Sequence, residues 1–251
     1  NSGNIISQFF APMFEGYNVH LIERVAWWMH IIGILIFLNY LYYSKHLHIL
    51  LAFPNTYYGS VKPKGYFNNL EAVTNEVKLM MDPNIDPFAA TEDDSSAPDK
   101  FGASDVQDLN WVQLLNAYTC TECGRCTSEC PANQTGKKLS PRKIMMDTRD
   151  RLVEVGKNID SNKGVFVPDG KELLGDYITN EELWACTSCN ACVEACPISI
   201  DPLSIILEMR RYLVMEQSAA PMELNTMMSN IENNGAPWPY NQMDRLNWKN
   251  D

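Results

Sequence analysis

CTECGRCTSECP (residues 120–131) and CTSCNACVEACP (residues 186–197) hold every cysteine of this 251-residue chain. Cys120, Cys123, Cys126 and Cys130 form the first run, Cys186, Cys189, Cys192 and Cys196 the second, and each run is closed by proline. The C-x2-C-x2-C-x3-C-P spacing is that of 4Fe-4S ligation, because a short loop can wrap three thiolates round one cubane while the fourth points elsewhere. In two-cluster proteins of this type the fourth cysteine ligates the other cluster. The expected ligand sets are therefore crossed: Cys120, Cys123, Cys126 and Cys196 for cluster 1, and Cys186, Cys189, Cys192 and Cys130 for cluster 2. Disulfides fit the spacing less well, since cysteines crowded at three-residue intervals do not present separated, facing Cα positions. A structural zinc draws paired knuckles rather than four cysteines in a row before proline.

Working outward, each run is flanked by helix signals. LNWVQLLNAY leads into Cys120 with Asp105–Asp108 as candidate caps, and Thr179-Asn180 caps a short helix into Cys186. Ser140-Pro141 and then Pro202 open the helices that follow, to about Val155 and Glu216, with Ile144, Met145, Thr148 and Leu152 on one stripe and Leu203, Ile206, Leu207, Arg210 and Leu213 on the other. Residues 131–185 between the runs leave room for helices, whereas compact β-rich ferredoxins bring their runs closer together. The expected fold class is mainly α: a transmembrane helix followed by an all-helical ferredoxin-like domain carrying two 4Fe-4S clusters. Met145-Met146 and Met227-Met228 read as filler rather than ligands.

Upstream, Val25 to Tyr43 (VAWWMHIIGILIFLNYLYY) carries no formal charge and is long enough for a bilayer span. Trp27, Trp28, Tyr40, Tyr42 and Tyr43 suit its two interfaces. Apolar character resumes in LHILLAF, which predicts a helix running on to Phe53 and stopped by Pro54, about 43 Å in all. A long buried core helix is the competing reading. Lys45, Lys62 and Lys64 follow the span while Glu15, Glu23 and Arg24 precede it, favouring a cytoplasmic C-terminal side in the inner membrane. Pro54 to Asp108 reads as a connector, including the solvated stretch TEDDSSAPDK and apolar Leu79, Met80 and Met81. The chain opens on Asn1-Ser2-Gly3 and reads as the later part of a longer protein.

With 31 acidic against 20 basic side chains and a net charge of -11, nucleic-acid binding is disfavoured. Reduced thiolates point to a reducing compartment. The histidines, His20, His30, His46 and His48, all lie in or beside the span. On a continuous helix His30 and His48 share one face about 27 Å apart, with His20 and His46 off it. Two readings stand for the pair: axial ligands of stacked b haems, with the second ligands on upstream helices, or an interhelical hydrogen bond by His30 and a helix-end cap by His48.

YYSKHLHILLAFPN, CTECGRCTSECPANQTGKKLSPR, EELWACTSCNACVEACPISIDP, MRRYLV and NNGAPWPY together resemble the membrane-bound heterodisulfide-reductase-type iron-sulfur oxidoreductases, related to the iron-sulfur component of anaerobic glycerol-3-phosphate dehydrogenase. The membrane segment resembles the last helix of the respiratory nitrate reductase gamma subunit, which implies that His30 and His48 bind haem b, one or two, while His46 does not inherit the role. The family commonly continues into Cys-Cys-Gly modules, and no cysteine follows Cys196. The substrate-reducing module is then either truncated away or, in the preferred reading, a separate cytoplasmic catalytic subunit bearing such modules, or a flavoprotein, with quinone as the membrane substrate. The implied domains are a membrane segment (1–53, the last helix of a larger haem b domain), a connector (54–108), an α-helical dicluster domain (109–216) and a partner-docking tail (217–251). No nucleophile–base pair, phosphate-cradling loop or hydrolytic metal motif is present, so the expected role is electron transfer without a substrate-transforming site. Two rivals are the iron-sulfur subunit of a succinate or fumarate type enzyme, which should carry a cysteine-rich domain before Cys120, and a membrane docking protein whose clusters are structural.

Overall fold

The computed structural model describes residues 9–63, 65–82 and 100–249. Asn1-Ser2-Gly3, Lys64 and the acidic stretch TEDDSSAPDK, apart from Lys100, lie outside the described residues. Among the described residues the regular structure is helical, with no strand. The chain divides into two compact units, Asn1–Leu50 and Leu51–Asp251.

The first unit is dominated by α1 (Val19–Leu41), whose first turn is capped by the Asn18 side chain accepting from Leu21 N–H at 3.2 Å. At 1.5 Å per residue α1 reaches about 35 Å, and its apolar side chains, Ile32, Leu35 and Phe37 among them, are exposed. It is long and apolar enough to cross a bilayer. The helix does not run on to Phe53. Ser44 interrupts it: its hydroxyl donates to Leu41 O at 3.0 Å and accepts from His46 N–H at 3.2 Å. A serine hydroxyl that satisfies nearby backbone groups offers the chain an alternative to the helical ladder. The next helix, α2, is Leu47–Tyr57, and Pro54 sits inside it rather than ending it. The expectation of one straight helix, and with it the placing of His30 and His48 on one continuous face, is therefore corrected.

In the second unit, α3 (Glu71–Met81) gives order to part of the segment expected as connector and leaves Leu79, Met80 and Met81 exposed. The caps before the first cysteine run also differ from expectation. Asp105 and Asp108 cap their own short turn, Val106–Asp108, while Asn110 and Gln113 form the capping box of α4 (Trp111–Thr119). Two single turns, α5 (Arg125–Ser128) and α6 (Pro131–Gln134), lead to α7 (Pro141–Ser161), which continues past Val155. Then come α8 (Asn180–Ala185), α9 (Ala191–Glu194) and α10 (Pro202–Arg211), the last extended by a wider turn over Tyr212–Glu216. An exposed helix, α11 (Met222–Asn234), ends at Gly235, whose φ of 65° is left-handed.

The core of this unit lies between α7 and α10. Ile144, Met145 and Val155 from α7 meet Leu203, Ile205, Ile206 and Met209 from α10, joined by Leu183, Leu173 and Ile178. Gly102 is demanded by close approach: with φ at 78°, an added Cβ would overlap the backbone at Glu208 and Tyr212. Behind the core, Arg151 of α7 is fully buried and grips two carboxylates, Asp105 at 2.7 Å and Asp169 at 2.5 Å, together with Lys171 O at 2.7 Å. Asp105 also accepts from Leu173 N–H at 3.2 Å. One guanidinium thus pins the 105–108 turn and the 169–173 loop to the central helix.

Candidate metal centre

The two cysteine runs fold as copies of one device. A capping box opens a short helix ending at the first cysteine: Asn110 with Gln113 before Cys120, Thr179 with Glu182 before Cys186. The second cysteine, Cys123 or Cys189, lies on a loop that twice enters left-handed backbone, at Glu122 (φ 59°) and Gly124 (φ 83°) in the first copy and at Ser188 (φ 55°) and Asn190 (φ 61°) in the second. Non-glycine residues rarely adopt this region, so its recurrence at matching positions of both loops marks a shared constraint. A single helical turn follows, α5 or α9, carrying the third cysteine. After the fourth cysteine and its proline, an N-cap with proline at the first helical position opens the long helix: Ser140-Pro141 for α7 and Asp201-Pro202 for α10.

All eight cysteines are free thiols, with Cys130 and Cys192 buried and Cys123 and Cys189 exposed. Cys120, Cys123, Cys126, Cys192 and Cys196 line one largely apolar cavity with Met145 and Ile200. Cys196 lies close enough to Cys120 and Cys126 to act on both electrostatically, and Cys130 acts likewise on Cys186 and Cys192. Burial pushes the Cys120, Cys126 and Cys186 thiols up. Cys192 is pushed up to about 12, by burial first and then by Cys186 and Asp201. Thiols held protonated in this way must give up protons to bind metal.

The donors suit iron-sulfur clusters better than a lone ion. Among the described residues no group of three His, Cys, Asp or Glu side chains converges on one metal-sized point. A zinc ion requires such convergence, with sulfur about 2.3 Å from the metal, whereas a cubane takes each thiolate on a different iron. Backbone donors serve the sulfurs in both loops: Glu122 N–H bonds the Cys120 sulfur, and Ser188 N–H bonds Cys186 Sγ at 3.4 Å. Such bonds stabilise negative charge on sulfur.

An arginine from each long helix braces each loop. Arg149 of α7 meets Glu122 at 2.7 Å, and Arg210 of α10 donates to Ser188 Oγ at 3.2 Å and to Cys186 O at 2.5 Å. Burial lowers the Arg210 pKa, opposed by the nearby Cys186. The cysteine spacing points to neither arginine. A signal existed for Arg210, a charged residue at helical spacing with Leu203, Ile206, Leu207 and Leu213.

The histidines are placed apart. His30 is exposed in the middle of α1, and His48 is half-buried in the first turn of α2, its Nδ1–H donating to Lys45 O at 2.6 Å. His46 lies in the interruption, its ring edge-on to Phe37 at 5.9 Å.

Comparison with known proteins agrees with this centre. Residues 119–200 match the family described as "4Fe-4S dicluster domain". The chain is 31% identical over 260 residues to the probable iron-sulfur-binding oxidoreductase FadF of Bacillus subtilis, covering 92% of this chain and 34% of the relative. It is 28% identical over 263 residues to the EtfAB:quinone oxidoreductase of Syntrophomonas wolfei, covering 95% and 33%. To a component of the ferredoxin/F(420)H(2)-dependent CoB-CoM heterodisulfide reductase of Methanosarcina acetivorans it is 34% identical over 108 residues, 43% of this chain and 52% of that relative. The chain thus spans about a third of the length of the first two relatives. With its paired cysteine loops and helical body, this chain carries a 4Fe-4S dicluster domain and is related to FadF-type iron-sulfur oxidoreductases and heterodisulfide reductase subunits.

Proposed function

We propose that this chain is the electron-transfer part of a membrane-bound oxidoreductase, relaying electrons between quinone and haem b in the membrane and a catalytic partner on the cytoplasmic side. The observation that carries the reading is the duplicated cysteine loop, with matching left-handed backbone and sulfur-directed N–H groups in both copies. The clusters, when bound, accept and release single electrons. The chain holds and tunes them: Cys120, Cys123 and Cys126 with Cys196 at one, Cys186, Cys189 and Cys192 with Cys130 at the other. The nearness of Cys196 to Cys120 and Cys126, and of Cys130 to Cys186 and Cys192, supports this crossing.

Residues 1–53 are the membrane segment in this reading, supported by the length and exposed apolar surface of α1. His30 and His48 are the haem b ligands. The bond from His48 Nδ1–H to Lys45 O supports that role, because it fixes the tautomer and leaves Nε2 free for iron. The likeness of this segment to the last helix of the nitrate reductase gamma subunit points the same way. Quinone is suggested by the name of the Syntrophomonas wolfei relative, and a separate catalytic subunit by the multi-subunit reductase to which the Methanosarcina acetivorans relative belongs. Residues 109–216 form the cluster domain and 217–251 a docking tail, whose exposed Met222, Met228 and Ile231 suit a protein partner.

In the intact complex, quinol or the reduced partner is expected to bleach the clusters reversibly at the turnover rate. His30→Ala and His48→Ala are each expected to remove one haem signal from the visible spectrum. Clusters that stay in one state throughout turnover would defeat the relay, and unchanged haem content in both variants would defeat the ligand assignment.

A further inference from the structure

Arg210 is a half-buried cation that meets only neutral acceptors. Its Nε and Nη2 donate to Leu183 O at 3.1 and 2.6 Å, Nη2 also to Cys186 O at 2.5 Å, and Nη1 to Ser188 Oγ at 3.2 Å. The guanidinium lies 5.0 Å from the centre of the Trp184 ring. Among the described residues no carboxylate pairs with it. The other arginines packed into this body do find carboxylates: Arg149 with Glu122 at 2.7 Å, Arg151 with Asp105 at 2.7 Å, and Arg211 with Glu208 at 2.5 Å.

Taking a guanidinium out of water without a counter-charge is costly, and carbonyl dipoles offset only part of that cost. The group stands against the Cys186–Ser188 turn, where Ser188 N–H already faces Cys186 Sγ. A cubane with four thiolates carries two negative charges when oxidised and three after gaining one electron. A fixed neighbouring cation therefore favours the reduced form, and Arg keeps its charge at any working pH.

We propose that Arg210 is the counter-ion of the cluster held by Cys186, Cys189 and Cys192, and that its uncompensated charge raises that cluster's reduction potential. Arg149 holds the corresponding place beside the other loop, but Glu122 and Asp150 (3.3 Å) neutralise it. Asp201 acts on Cys192 with the opposite sign and forms no ion pair with Arg210. The two clusters are thereby made unequal although their loops match. The inference rests on the ligand reading above.

The test is a redox titration of the intact protein followed by low-temperature electron paramagnetic resonance, with dithionite and organic mediators supplying the electron. Arg210→Gln is expected to lower the potential of the second cluster and leave the first in place, whereas Arg210→Lys, which keeps the charge and loses the fork, stays near the native value. An unshifted second cluster in Arg210→Gln, or a fall in Arg210→Lys as large as in Arg210→Gln, would overturn the proposal. Where Arg210→Gln fails to retain the cluster, Arg210→Lys alone decides: a native potential supports the counter-ion role and a lowered one refutes it. An unmodified protein without 4Fe-4S signals would instead refute the ligand reading, a failure visible before any variant is compared.

Discussion

Replacing Cys130 with serine is expected to strip or degrade the cluster held by Cys186, Cys189 and Cys192, while the cluster beside Cys120, Cys123 and Cys126 survives. Cys130 belongs by sequence to the first loop, so a simple one-run, one-cluster arrangement predicts the opposite loss. Its neighbours argue for the crossing: it acts on Cys186 and Cys192 and is buried at 6% exposure among core residues. Serine oxygen is a far poorer ligand than thiolate for iron, and the buried site gives water little access to substitute for it. Iron content should fall by about half, with one of two resonance signals lost. Loss of the signal belonging to the Cys120 loop alone would refute crossed ligation.

The second large effect is on stability. Arg151→Met should destabilise the cluster domain by about 3 kcal/mol, because removing one partner of a buried ion pair leaves the other charges uncompensated. The lower end of the usual range applies, since the Asp105 and Asp169 side chains keep 14% and 26% of their exposure. For the compact unit Leu51–Asp251, in which Arg151 lies, that corresponds to a fall of about 6–12 °C in unfolding midpoint. The pH dependence should change with it. Hydrogen bonding from Arg151 holds the Asp169 carboxyl down at about 2, against an ordinary 3.8. The folded value lies below the unfolded one, so this stabilisation is complete above the ordinary value and is lost as pH falls through about 2. In Arg151→Met the loss of stability between those two values should flatten. A midpoint change of less than about 2 °C, or an unchanged acid limb, would show that Arg151 is not the clamp that its contacts suggest.

The centre was legible in the sequence because each of its parts has local spacing. The cysteine runs, the Thr179 cap and the Ser140-Pro141 start are read within a few residues, and the structure has them as expected. The helical class followed from the signals flanking the runs. What escaped were competitions between local preferences. Ser44, with no glycine or proline beside it, breaks the apolar helix through its hydroxyl, while Pro54, the obvious stop, is absorbed inside α2. The cap of α4 is Asn110 rather than Asp105–Asp108, because Asn110 offers an equivalent side chain two residues after Asp108. Arg149, Arg151 and Arg210 depend on partners distant in the chain, and helical periodicity alone cannot name those partners. Even so, Arg151 follows Ile144 and Thr148 on the buried stripe of α7, and a charge there is itself a sign of a paired interior group.

The central claim is that this chain holds two redox-active 4Fe-4S clusters, and anaerobic purification with metal and sulfide analysis, coupled to stepwise reduction under electron paramagnetic resonance, tests it most directly. The account predicts about eight irons and eight acid-labile sulfides per chain and two signals that appear on reduction and vanish on reoxidation. About two zinc ions per chain with no sulfide, or iron whose signals never respond to reductant, would contradict it.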